Sequence, residues 1–143
     1  MTGFAVLERG EQLARRLVAR FGPAVSMDQR PGLLIVAPGV CLTEWGKLEC
    51  ETVLLPGNVT HRLGGLQARS AVSYGLSGRD TITLSSAEGS RLWVAVQREL
   101  VRMDGTVLER QELPVRIPDG ADELQTLALA GAMLLLGASA QEL

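Results

Sequence analysis

A chain of 143 residues with 46% hydrophobic and 21% charged residues fits one domain, residues 1–143, around a single core, and this excludes a disordered chain. Sixteen acidic residues against fourteen basic ones leave a net charge of −2, which excludes the broad basic surface of a nucleic-acid binder. One histidine (His61), one lysine (Lys47) and two cysteines (Cys41 and Cys50) leave little for an imidazole, thiolate or metal centre.

The first segment reads as a helix from Phe4 to Phe21. Val6, Gly10, Leu13, Leu17 and Phe21, with Ala14 and Val18 beside them, recur every three or four residues. Glu8 and Glu11 near its start and Arg15, Arg16 and Arg20 near its end complement the helix dipole, and Gly22-Pro23 stops it. Its first residues lack a basic stretch followed by an apolar one, so the expected location is cytoplasmic.

Strands are expected next. Leu33 to Ala37 is a short apolar run between Pro31-Gly32 and Pro38-Gly39. Leu48, Cys50, Thr52 and Leu54 alternate with Glu49, Glu51 and Val53 in a second strand that ends at Pro56-Gly57-Asn58. Residues 59–66 have weak helical character, interrupted by Gly64-Gly65, and Ala68 to Leu76 is a further strand. Asn58-Val59-Thr60 matches a glycosylation acceptor, but in a cytoplasmic protein it reads as a turn.

Residues 80–117 read as an antiparallel three-stranded meander. Thr81 to Ser85 alternates, Glu88-Gly89-Ser90 turns the chain, and Arg91 to Val101 alternates again. Asp104-Gly105 predicts a type I′ hairpin turn into Val107 to Ile117, where Pro114 favours an edge position or a bulge. A final helix follows Pro118-Asp119-Gly120, capped by Asp119 or Asp122 and ended by Gly137. Leu124, Leu127, Ala128, Gly131, Leu134 and Leu135, with Leu129, Met133 and Leu136, make it apolar nearly all round. Such a helix is either deeply buried or packed on a partner, so self-association or a protein partner is the leading functional expectation. The longest apolar stretch, Leu127 to Gly137, falls short of the roughly 20 residues that span a bilayer, so no membrane partner is expected.

Motifs of chemistry are sparse. Neither a Walker A loop nor G-x-G-x-x-G occurs, and Gly75-Leu76-Ser77-Gly78 lacks the spacing of a nucleophile elbow; Ser77 with Gly78-Arg79-Asp80 reads as a turn between strands. His61 beside Arg62 suits a surface position better than a catalytic one. Cys41 and Cys50 lack zinc-site spacing and read as structural thiols on neighbouring strands. Glu49 and Glu51 share a strand face, ordinarily a solvated one and less often a cation site. No catalytic residue, metal ligand or cofactor is assigned. Thirteen of the fourteen basic residues are arginine, and Arg91, Arg98, Arg102 and Arg110 fall within the meander. They form either a charged solvent face with Glu99, Glu109 and Glu112 or a fork that holds an anionic ligand.

Four stretches carry a resemblance. They are Leu55-Pro56-Gly57-Asn58, Val72 to Ser77, Asp80 to Leu84, and the alanine-containing helix Leu124 to Gly137 with Ala138-Ser139. In this order, residues 54–143 resemble the latter part of the central, ATP-binding domain of Mur-type peptide ligases. The family's phosphate loop has no counterpart, its His-Asn pair is replaced around Asp119 to Gln125, and Val59 and Thr60 stand where acidic residues belong. The resemblance therefore implies a shortened, non-catalytic relative, not a ligase. With the arginines, it makes Asn58, Tyr74, Arg91 and Arg98 candidate contacts for a small anionic ligand or nucleotide, the alternative to protein association. The expected fold is α/β, a mixed sheet containing the meander and flanked by N- and C-terminal helices.

Overall fold

The computed structural model describes residues 3–59 and 63–143. In chain order the elements are β1 (Phe4–Leu7), α1 (Leu13–Phe21), β2 (Leu33–Val36), β3 (Lys47–Pro56), β4 (Gly65–Gly75), β5 (Ile82–Glu88) and β6 (Arg91–Val96). They continue with β7 (Leu100–Val101), β8 (Val107–Leu108), β9 (Gln111–Arg116) and α2 (Glu123–Leu135). Seven strands form one mixed sheet in the order β1-β2-β3-β4-β5-β6-β9. The neighbours from β1 to β5 run parallel, and β5, β6 and β9 run antiparallel.

The expected α/β fold with a mixed sheet, a meander and two flanking helices is present. The meander pairs Leu84 with Val94 and Val94 with Leu113, and places Pro114 on the edge strand, where its missing N–H costs no ladder bond. The irregularity in this sheet is a register shift between Leu84 and Ser86 on β5.

The first helix is shorter than its periodicity implies. Phe4–Leu7 is a strand, paired in register with Leu33–Val36. The apolar spacing of Val6 fits a helix face and a buried strand equally well, and pairing with β2 decides between them. Gly10 (φ 99°) and Gln12 (φ 63°) then turn the chain through left-handed backbone. Glu8 accepts the free N–H groups of Leu13 (2.7 Å) and Ala14 (3.0 Å), so the expected acidic residue acts as the anion at the helix start.

Asp104-Gly105 turns a small separate hairpin, β7 with β8, and does not join two strands of the main sheet. Gly105 is left-handed (φ 89°) but Asp104 is not, so the turn is not type I′. Asp104 instead accepts both the N–H (2.9 Å) and the hydroxyl (2.6 Å) of Thr106, and Met103 N–H donates to Leu135 O (2.9 Å), tying the hairpin to α2.

Of the two candidate caps, Asp122 begins α2, accepting from Gln125 N–H (2.8 Å) while Gln125 Oε1 accepts from Asp122 N–H (3.0 Å). The helix packs against β2, β3, β4 and β5, with α1 alongside it. Leu127, Ala128, Ala132, Leu134 and Leu135 are fully buried. Gly131 brings the helix onto the sheet: a Cβ there would sit 3.2 Å from Leu54 and 3.6 Å from Ile82. Much of the apolar surface that motivates a partner in the sequence is thus covered within one chain.

Candidate functional site

In an open parallel sheet, ligands bind beyond the carboxyl ends of the strands, where loops diverge and backbone groups are accessible. Here the ends of β2 (Pro38-Gly39), β3 (Pro56-Gly57-Asn58) and β4 (Ser73-Tyr74-Gly75) converge on a cleft of about 550 Å³. The turn from Leu76 to Asp80 and Leu124 in the first turn of α2 close its sides.

Tyr74 forms the floor. It is fully buried, and its hydroxyl donates to Val36 O on β2 (2.6 Å), reaching past β3, which lies between. Burial pushes the phenol well above its ordinary range, and the nearby charges of Glu11 and Asp122 add to the effect. The hydroxyl therefore remains a donor and ties the two strand ends together.

Asp80 shapes the wall. Its side chain is buried, Oδ2 accepts Ser77 N–H (3.1 Å), and the carboxylate lies directly against Gly57 and Gly75. A Cβ on Gly75 would come within 2.5 Å of Oδ2, and one on Gly57 would meet Oδ1 closer still. Glycine at both strand ends is what lets the carboxylate fit. The turn is braced by Gln97, just beyond β6, whose Nε2 donates to Gly78 O (3.1 Å) and Asp80 O (2.7 Å). Ser77 Oγ accepts Arg79 N–H (3.1 Å), and Arg98 donates to Arg79 O (3.0 Å). These bonds fix the backbone of Arg79 and leave its exposed side chain on the lining of the cleft, without a carboxylate partner among the described residues.

The four candidate residues divide. Asn58 and Tyr74 line the same cleft. Arg98 stands behind it, holding Arg79 in place. Arg91 lies at the other end of β6, beside Pro114, Arg116 and Leu143; five residue steps of ~3.4 Å put it about 17 Å along the strand from Val96. The arginines of the meander do not gather into one fork. The residues not singled out as candidate contacts are Arg79, read as part of a turn, and Asp80, read as part of that turn and as the start of the Asp80 to Leu84 stretch of the resemblance. Their signal was an aspartate closing a tight turn between two strands, which carries weight only once Gly57 is seen to be its neighbour.

Other candidates resolve simply. Glu49 pairs with Arg30 (3.1 Å) and Glu51 with Arg69 (3.4 Å), both on the surface, and no cluster of potential metal ligands occurs among the described residues. His61 and the middle of the 59–66 segment lie outside the described residues. Cys50 is buried on β3, whereas Cys41 is half-buried in the loop after β2, so the thiols are not on neighbouring strands. Burial, with help from the Glu51 charge and against a backbone hydrogen bond at Leu34, pushes the Cys50 thiol up to about 11. In native protein at mildly alkaline pH, an alkylating reagent should modify Cys41 alone, and denaturant should release Cys50. Mass spectrometry reads the count; equal native rates at the two sites would contradict this burial.

No protein-family model and no curated protein matches this chain. No helix among the described residues is long and apolar enough to cross a membrane.

Proposed function

We propose that this chain is a non-enzymatic binding protein whose cleft beyond β2, β3 and β4 takes a small ligand bearing an anionic group. The convergence of three strand ends and the start of α2 on one cleft, with Arg79 on its lining, carries this reading. A guanidinium presents a planar fork of donors suited to carboxylate or phosphate oxygens. Gly39, with open space where a side chain would stand, allows close approach to backbone, while Leu76 and Leu124 offer apolar surface to the body of the ligand. Asp80, the one carboxylate lining the cleft, is engaged by its own turn and has a scaffold role. The sequence resemblance to part of the Mur-type ATP-binding domain makes nucleotides the first probes.

The test is a thermal-shift panel of ATP, AMP, inorganic pyrophosphate and sugar phosphates, repeated on Arg79→Ala and Asn58→Ala. At least one anion should raise the melting temperature. Arg79→Ala should weaken its binding about ten- to a hundred-fold, the equivalent of a hydrogen bond to a charged group. A flat panel, or a shift untouched by Arg79→Ala, would overturn the reading.

A further inference from the structure

The main sheet protects its outer edges and leaves an inner one open. On β1, Phe4 O accepts Val25 N–H (2.8 Å), and at the opposite edge β9 carries Pro114. β4 differs. β5 pairs with it only at Tyr74–Ile82 and Gly75–Thr83, so residues 65–73 have β3 on one side and no strand on the other among the described residues. This run keeps one register with β3, from Lys47–Gly65 to Leu55–Ser73, without a bulge. Gln67, Ala68, Arg69, Ser70 and Ala71 are all exposed. The run contains neither proline nor lysine, and Arg69 is its single charge. A long, regular strand edge with such small side chains is a template for another strand.

We propose that the occupant is a second copy of this chain, with β4 pairing antiparallel to β4 about a two-fold axis at Ala68. In such a pair, facing residues must lie on the same side of the sheet, so one residue faces its own copy and the axis passes between the two. An axis at Arg69 would set two guanidinium groups face to face. At Ala68 the small side chains meet each other, and Arg69 faces Gln67 of the partner subunit. Arg69 already reaches Glu51 on its own β3 (3.4 Å), and Glu49 is the register partner of Gln67. The row across the junction then reads Glu51, Arg69, the partner's Gln67, the partner's Glu49: carboxylate, guanidinium, amide, carboxylate. Arg69 can donate to the amide oxygen of the partner's Gln67, the two-fold axis repeats the contact, and this polar complementarity favours a second copy over an unrelated strand. The junction also stands apart from the cleft and does not depend on a ligand.

Sedimentation velocity on the full chain over a range of concentrations provides the test. Wild-type protein should dimerise. Ala68→Lys sets two ammonium groups on the axis and should yield monomer with unchanged circular dichroism. Ala68→Cys should form a reducible covalent dimer under mild oxidation where wild type, with Cys41 and Cys50, does not. That cross-link decides the matter if the lysine variant fails to fold. A wild-type chain that stays monomeric overturns the proposal, as does a dimer that neither Ala68→Lys disrupts nor Ala68→Cys traps.

Discussion

Tyr74→Ala is expected to lower stability by about 4 kcal/mol, and Tyr74→Phe by about 1–2 kcal/mol. The alanine change empties a fully buried site and leaves Val36 O without its donor, whereas phenylalanine keeps the ring and removes only the 2.6 Å hydrogen bond. The Tyr74→Phe loss against wild type isolates the bond that ties β4 to β2, and the difference between the two variants isolates the packing of the ring. Denaturant midpoints at constant slope measure both; a Tyr74→Phe variant as stable as wild type would remove this tie from the account. A pH dependence follows with a definite sign. The folded phenol titrates above its ordinary 10.0, so the unfolded chain loses this proton first. The stabilisation is complete below that ordinary value and declines as pH rises past it. Tyr74 is the single tyrosine, so Tyr74→Phe should flatten the alkaline decline attributable to this group.

Asp80→Ala should cost about 2–4 kcal/mol, combining an unsatisfied Ser77 N–H with a void between Gly57 and Gly75. Asp80→Asn, which keeps the shape and one acceptor oxygen, should cost less. Arg79→Ala and Asn58→Ala, by contrast, change exposed side chains and should stay within about 0.5 kcal/mol of wild type. This contrast separates residues that build the cleft from residues that meet a ligand. An Asp80→Ala protein as stable as wild type would show that the carboxylate does not hold the turn.

Much of the architecture was legible in the chain because local signals agreed with long-range pairing. Gly22-Pro23, Pro38-Gly39 and Pro56-Gly57 each mark the end of an element, and Asp122 and Gln125 form a capping pair visible as spacing alone. Phe4–Leu7 misleads because four apolar residues fit both periods, and its strand state depends on Leu33–Val36, about thirty residues away. Asp104-Gly105 marks a real turn but does not say which sheet the hairpin joins. Arg102 N–H donates to Thr106 O within the hairpin, and Met103 is held by α2, so tertiary contacts decide its place.

The cleft was only partly legible, for the same reason. Asn58 and Tyr74 stand next to strand-ending glycines and could be singled out through a resemblance. Arg79 and Asp80 become meaningful only when β3 and β4 end side by side and their glycines meet one carboxylate. The arginine-rich meander drew notice by composition, yet β6 separates Arg91 and Arg98 along its length. Only the backbone of Arg79, braced by Arg98, links that arginine content to the cleft.

The most direct measurement is a backbone amide NMR titration of the full chain with ATP and, separately, inorganic pyrophosphate. Shifts should concentrate at Gly39, Gly57, Asn58, Gly75, Ser77 and Arg79, and be abolished or sharply reduced in Arg79→Ala. Shifts confined to Arg91 and Arg116 at the far end of the meander, or no saturable shift with either anion, would contradict it.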